Sequence, residues 1–263
     1  MGAVRGVLLD LDGVVYVGDS LVPGAVDVVD WLSREGIPYR FLTNTTSRPR
    51  AAIVEKLSSM GIRADDDDIL APAVAAMSWI RSTSPGRPAL FVPKATASEF
   101  VESDPLPDDA EEGAGAVVVG DLGEGWDFAT VNRAFRLLMA KPRPRLVALG
   151  RTRYWRADDG LRLDAGPFVR ALEYATATTA VVMGKPARAF YLTAVEGLGL
   201  APNDVVMVGD DIRTDVEGAQ RAGLTGVLVR TGKYVATDLD SDVTPDAVLD
   251  SIAELPDWWA ATA

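Results

Sequence analysis

The sequence predicts an α/β fold: a Rossmann-like parallel-sheet core with a second α/β domain inserted into it. Three observations lead there. Short apolar runs alternate with longer helical patterns, the signature of a parallel sheet with helices on its faces. Pro- and Gly-rich loops interrupt that rhythm in the middle of the chain, and it resumes afterwards. The 263 residues, 48% apolar and 24% charged, suit one or two domains with a full core.

The elements follow in chain order. Val4–Leu9 reads as a buried strand. Ala25–Arg34 reads as a helix, with Val26, Val29 and Leu32 at helical spacing and Gly36 just beyond its end. Ile37–Leu42 is the next strand. Pro49–Met60 is a helix with Ser47 as N-cap and Gly61 as C-cap. Asp65–Asp68 reads as a solvated approach to the helix Ala71–Arg81. The loop Ser82–Pro88 then opens a second block. It holds strands at Ala89–Val92, Ala116–Val119 and Leu146–Leu149, and helices at Ala95–Val101, Phe128–Met139 and Phe168–Ala175. An acidic, Pro-rich loop spans Asp104–Glu112. The first rhythm resumes with strands Ala180–Met183, Val205–Val208 and Gly226–Val229 and helices Ala187–Leu198 and Thr214–Ala222. The expected division is a core of residues 1–81 and 179–263, with an insertion at 82–178.

Composition removes whole classes of chemistry. His and Cys are both absent, so triads with His, thiol nucleophiles, disulfides and zinc sites built on these residues are excluded. Catalysis must run on carboxylates, hydroxyls, Lys, Arg or a hard metal held by oxygen. The net charge of −12 disfavours nucleic acid and anionic lipid as partners. No signal peptide or membrane-spanning run is legible, and the expectation is a cytoplasmic protein with no membrane association.

Four polar clusters follow apolar strands, where open parallel sheets bind ligands. Asp10 and Asp12 end the first strand; if the strand continues that far, alternation puts both on one side. Thr43 and Asn44 end the second, where a hydroxyl and an amide would meet an anion. Gly184-Lys185-Pro186 offers a compact cation, with Pro186 placed at the first position of a helix. Asp210, Asp211 and Asp215 follow Val205–Val208; Asp210 is the better ligand candidate, while Asp211 and Asp215 also suit a plain N-cap. Singly, each cluster has an ordinary reading as a turn, a cap or a solvated charge. Together they place carboxylates, two small donors and one Lys around a single crevice, a donor set that suits Mg²⁺.

The order DxDGV, TN, GKP, GDDxxxD resembles the haloacid dehalogenase-like hydrolase superfamily. The likeness is to its class IIA, with a large α/β cap inserted between the second and third motifs. Leu149–Arg156, with Asp159-Gly-Leu, Gly166-Pro-Phe and Ala171–Ala175, is similar to the branch that contains phospholysine phosphohistidine inorganic pyrophosphate phosphatase. The resemblance implies a Mg²⁺-dependent phosphatase acting on a small phosphorylated metabolite. Asp10 would be the nucleophile forming an aspartyl-phosphate, and Asp12 the acid and base. Thr43, Asn44 and Lys185 would hold phosphoryl oxygens. Asp10, Asp210 and the Asp12 carbonyl would bind Mg²⁺, and Asp215, with Asp211, would orient metal waters or Lys185. It also implies a cap that selects substrate, with Arg151, Arg153, Tyr154 and Trp155 as candidates, and a homodimer through the cap. In animal members of that branch Ser stands at the second acidic position. Asp12 here departs from them and favours monoesters with alcohol leaving groups over pyrophosphate and phosphoramidates.

Other readings fit less well. A dinucleotide fold needs G-x-G-x-x-G after the first strand, where only Gly13 stands. A P-loop needs G-x₄-G-K-[ST], whereas Gly226 to Lys233 has one residue too many and is followed by Tyr234. A phosphate-binding or regulatory protein on the same fold, with negligible turnover, is the rival from another class. Such a protein should have lost Asp10, Asp12, Lys185 or Asp210, and all four are present.

Overall fold

The computed structural model describes residues 4–157 and 159–262, and these divide into two compact units. The first three residues, read above for a targeting signal, lie outside them. Among the described residues, the first unit comprises 4–43, 50–70 and 185–262; the second comprises 44–49, 71–157 and 159–184. The second unit thus contains the whole expected insertion and also 71–81 and 179–184.

In the first unit six strands form one parallel sheet. Their spatial order is Ala247–Leu249, Thr225–Val229, Val205–Gly209, Gly6–Asp10, Tyr39–Leu42, Ile69–Leu70. Gly6–Asp10 and Val205–Gly209 are buried along their whole length, which is why each reads as an unbroken apolar run rather than an alternating one. Chain order reverses between these two strands, and a crevice at such a point is where doubly wound sheets take ligands. The helix Ala25–Arg34 buries Ala25, Val28, Val29 and Leu32, one stripe at helical spacing. The helix Arg50–Ser59 ends as its glycine foretells: Gly61 has φ +84°, and the Ile62 N–H reaches back to the Leu57 carbonyl at 2.9 Å. Asp65 and Asp68 cap a single tight turn, so the acidic run has a local structural use. Trp259 meets the edge of Trp31 at 6.1 Å, fastening the final helix Leu255–Thr262 to the core.

The second unit has its own four-stranded parallel sheet, in the order Val181–Val182, Arg145–Ala148, Ala116–Val119, Pro88–Phe91. Its core includes Val117, Val119, Leu137, Leu146, Val169 and Leu172, with Trp126 stacked between Phe91 and Phe168 at 6.0 and 4.7 Å. An antiparallel hairpin, Tyr154–Ala157 with Gly160–Leu163, stands apart from that sheet.

Two expectations are corrected. The strand expected at Ala180–Met183 belongs to the second unit: Val181 and Val182 pair with Val147 and Ala148, and the Met183 N–H bonds the Ala148 carbonyl at 2.8 Å. Its apolar composition suits the edge of either sheet, so composition did not discriminate. Lys185 therefore follows a strand of a different sheet from the one that ends in Asp10. The helix expected from Ala187 begins at Arg188 with Ala187 as its cap, so Pro186 precedes the helix instead of opening it.

Candidate active site

The site assembles at the carboxyl end of the six-stranded sheet. Asp10 closes the central strand opposite Leu42, and Leu9 lies opposite Val208. That register carries the next residues of the flanking strands, Thr43 on one side and Asp210 on the other, to the level of Leu11. Asp10, Thr43, Lys185, Asp210 and Asp215 are all buried. Charged groups so seldom lie buried without partners that their contacts define the site.

Lys185 is the hub. Its Nζ lies 2.8 Å from Asp10 Oδ1 and 2.7 Å from Asp215 Oδ1, with all three side chains almost wholly enclosed. Burial alone would lower the Lys185 pKa, but the charges of Asp10 and Asp215 outweigh it and hold the ammonium protonated. Asp10 Oδ1 also accepts the Leu11 N–H at 2.7 Å, so one carboxylate oxygen is fixed by two donors. Asp215 is pushed up to about 7 by burial, against the pull of Lys185. Asp210 is pushed up to about 6, again chiefly by burial, although its Oδ2 accepts the Lys233 N–H at 2.7 Å.

Among the described residues, Asp210 Oδ1 and Asp215 Oδ1 are buried without a hydrogen-bond partner, and of the two only Asp215 Oδ1 has an ion pair, with Lys185. Asp10, Asp210 and Asp215 each offer an oxygen within 4.8 Å of the others. Three carboxylates face two ammonium groups, Lys185 and Lys233, and leave a local excess of negative charge. An orphaned oxygen beside that excess fits a cation, and an all-oxygen donor set fits a hard divalent one.

Glycines bring these groups together. Gly13 has φ +91°, and a Cβ there would lie 1.9 Å from Asp210 Oδ2. Gly232, at φ +64°, packs as closely: its Cβ would lie 2.1 Å from the same oxygen and 2.4 Å from the Gly13 Cα. A Cβ on Gly209 would lie 2.1 Å from the Asp215 Cβ. The Thr231 hydroxyl donates to the Gly13 carbonyl. The segment Thr231–Lys233 thus clamps both Asp210 and the turn after Asp10. Sequence reading missed it, because Gly232-Lys233 was weighed only as a failed P-loop. The available signal was the one used elsewhere, polar residues directly after an apolar strand. Tyr191, also unforeseen, donates its hydroxyl to the Thr214 carbonyl beside Asp215; burial, and then the charges of Asp215 and Asp10, raise its pKa.

The remaining expected residues fall as follows. The first strand ends at Asp10, so alternation does not carry Asp12 to the same face; Leu11 is buried and Asp12 is exposed. Asp211 is an N-cap, accepting the Arg213 and Thr214 N–H groups at 2.9 Å each. Its own N–H donates to Asp215 Oδ2 at 3.1 Å, which orients that carboxylate. Asn44 is the first residue of the second unit, where Gly184 packs beside it; a Cβ on Gly184 would lie 3.0 Å from Asn44 Oδ1.

Residues 7–104 match the model of the haloacid dehalogenase-like hydrolases, and residues 182–255 match a second model, HAD-hydrolase-like. Human phospholysine phosphohistidine inorganic pyrophosphate phosphatase is 37% identical over 262 residues, 98% of this chain and 94% of its own. The chain belongs to the haloacid dehalogenase-like hydrolase family. Bovine haloacid dehalogenase-like hydrolase domain-containing protein 2 is 40% identical over 242 residues, 90% of this chain and 88% of its own. Among solved structures, p-nitrophenyl phosphatase from Archaeoglobus fulgidus aligns with a TM-score of 0.86 at 27% identity, covering 97% of this chain and 98% of its own. NagD from E. coli K-12 shares the fold at a TM-score of 0.84 and 22% identity, covering 96% and 98%. Within the family this chain stands among phosphatases, an enzyme of the phosphoric monoester hydrolase class. No helix among the described residues is long and apolar enough to cross a membrane.

Proposed function

We propose that this enzyme is a Mg²⁺-dependent phosphatase that hydrolyses a small phosphorylated metabolite through an aspartyl-phosphate on Asp10. The observation that carries the reading is the buried constellation of Asp10, Lys185, Asp215 and Asp210. Asp10 Oδ1 is held by Lys185 and the Leu11 N–H, which leaves Oδ2 as the attacking atom. As the new P–O bond forms, the bond from phosphorus to the leaving oxygen breaks, and Asp12 delivers a proton to that oxygen. Asp12 then takes a proton from water as the water attacks phosphorus, releasing inorganic phosphate and restoring Asp10. An acid and base so placed is worth roughly 10²–10⁴-fold. Lys185, kept charged by its two carboxylates, and the Thr43 hydroxyl stabilise the transferring oxygens.

Asp10, Asp210 and the Asp12 carbonyl would hold Mg²⁺, which would supply the positive charge that lets an anionic phosphate approach an anionic nucleophile. Asp215 and the Thr231–Lys233 segment act through others, fixing Lys185 and Asp210. An exposed carboxyl at Asp12 serves leaving groups that need a proton, and the reading therefore favours phosphate monoesters of alcohols. The human relative's name speaks of phospholysine, phosphohistidine and pyrophosphate, so these belong beside monoesters in the test.

That test is phosphate release from such a panel in Mg²⁺, with Asp10→Asn as the blank. A preference among the monoesters, abolished by the substitution and by EDTA, is expected. Release that survives in Asp10→Asn, or that ignores EDTA, would overturn the reading.

A further inference from the structure

The second unit carries a basic cavity that the phosphatase chemistry does not use. It measures about 490 Å³, within the range of small-molecule sites, and Arg151, Arg153, Tyr154, Leu163, Arg170 and Glu173 line it. Its floor is rigid. The helix Ala165–Thr176 presents Arg170 and Glu173 three residues apart on one face. The 151–153 loop is tied to the start of that helix, with Gly166 N–H bonding the Thr152 carbonyl at 3.0 Å and Asp164 N–H the Arg153 carbonyl at 3.2 Å. A Cβ on Gly166 would lie 2.5 Å from both the Arg151 and Thr152 carbonyl oxygens, so that junction is closely packed.

Glu173 is the organising group. Its carboxylate, 5% exposed, pairs with Arg151 and lies 3.5 Å from Arg170, and it accepts the Ala180 N–H at 2.8 Å. One buried carboxylate thus faces two guanidinium groups, and Arg153 adds a third, 5.7 Å from the Tyr154 ring. Three arginines against one glutamate give a local charge of +2 in a chain whose net charge is −12. A purely structural ion pair needs only one of them. The surplus is accessible: Arg151 is 45% exposed and Arg170 82%. It is also local, since the cavity on the other side of Leu163 is lined by Asp121, Glu124, Asp159 and Arg162. Exposed Tyr154 and Leu163 supply an apolar wall beside the cations.

We infer that this cavity binds a small organic anion, a carboxylate or phosphate joined to an apolar or planar body. The guanidinium groups engage the anion as paired donors, and Tyr154 and Leu163 cover the body. That chemistry is shared by two sources, the remote anionic group of the substrate and a separate effector. The inference does not rest on the phosphatase reading.

The experiment uses phthalate, an aromatic dianion with no phosphate to hydrolyse, titrated calorimetrically into the full chain in EDTA. Saturable binding is expected, weakened about tenfold in Arg153→Gln and in Arg170→Gln, as loss of one charged donor group implies. Arg162→Gln, in the neighbouring cavity, should bind as the wild type does. Melting temperatures should be unchanged, because neither Arg153 nor Arg170 is buried. Absence of saturable binding, or equal affinity in all four proteins, overturns the inference. Phosphate release in Mg²⁺ with phthalate present separates the sources: inhibition of a monoester that carries a second anionic group, with p-nitrophenyl phosphate spared, assigns the cavity to the substrate's remote anion, and the same effect on both monoesters assigns it to an effector.

Discussion

Replacing Gly13 with Ala tests whether close packing against Asp210 builds the site. Two costs are separable. A non-glycine residue at φ +91° costs about 1–2 kcal/mol in backbone strain. The second cost is steric. The new Cβ would sit 1.9 Å from Asp210 Oδ2, and reaching an ordinary contact of 3.4 Å takes a retreat of about 1.5 Å. That retreat stretches the bond from the Lys233 N–H to the same oxygen, now 2.7 Å, and leaving such a buried donor unmet costs about 1–3 kcal/mol. The sum is about 2–5 kcal/mol of stability. It also displaces a carboxylate proposed to hold Mg²⁺ by more than 1 Å, and misplacement on that scale costs about 10²-fold in rate. Gly36→Ala is the control. Gly36 has φ +65° with nothing within 4 Å of its Cβ position, so it carries the backbone cost alone. Thermal unfolding with and without Mg²⁺, together with phosphate release, reads both costs. Gly13→Ala should lose stability, most of its Mg²⁺-dependent stabilisation and about 10²-fold in turnover, whereas Gly36→Ala should lose only about 1–2 kcal/mol. If the two variants behave alike, the packing argument fails.

Three further outcomes are expected. Asp210 and Asp215 have folded pKa values raised to about 6 and about 7 from an ordinary 3.8. A raised carboxyl stabilises the fold below the ordinary value, and that contribution is lost as pH rises through the folded value. In EDTA, therefore, these two groups should lower the melting temperature as pH rises from about 4 to about 7. The gain on adding Mg²⁺ should be larger at the alkaline end, and a gain independent of pH would contradict it. Lys185→Ala removes the cation that pairs with both Asp10 and Asp215; breaking a buried pair costs about 3–5 kcal/mol, partly recovered at low pH as the carboxyls protonate, which denaturant titration at two pH values reads. Asp12→Asn, at an exposed position, should leave the melting temperature alone and slow release from alkyl phosphates by roughly 10²–10⁴-fold, with a smaller loss for p-nitrophenyl phosphate, whose leaving group needs less acid. Equal losses on both substrates would remove Asp12 from the acid role.

Much of the fold was legible because buried parallel strands announce themselves. Val7–Leu9 and Val205–Val208 are apolar without a break, and each is followed within two residues by an acid that a buried strand end would not carry by accident. Helix ends were legible where glycine is needed for a left-handed turn, as at Gly61 and Gly223. The short edge strands Ile69–Leu70 and Ala247–Leu249 were not, because two or three residues make no periodic pattern. Sheet membership of Val181–Val182 was hidden for a different reason: a partner is a tertiary choice that local composition does not encode. Within the site, Asp10, Lys185 and Asp210 were found by position after a strand. That Asp215 orients Lys185 was implied by the family resemblance, not by local pattern, which suited a plain N-cap equally; the wide turn Ile212–Glu217 is what brings its carboxylate to Lys185. Gly13 and Gly232 carry no chemical signal of their own; what makes them matter is the oxygen they pack against.

The central claim is a covalent phosphoryl group on Asp10. Its most direct measurement is rapid acid quenching of the enzyme during turnover of p-nitrophenyl phosphate in Mg²⁺, followed by mass analysis of the peptide that contains Asp10. A hydroxylamine-sensitive phosphoryl group on Asp10, absent from Asp10→Asn, is the expected result. A phosphoryl group on another residue, or full turnover by Asp10→Asn, would contradict the account.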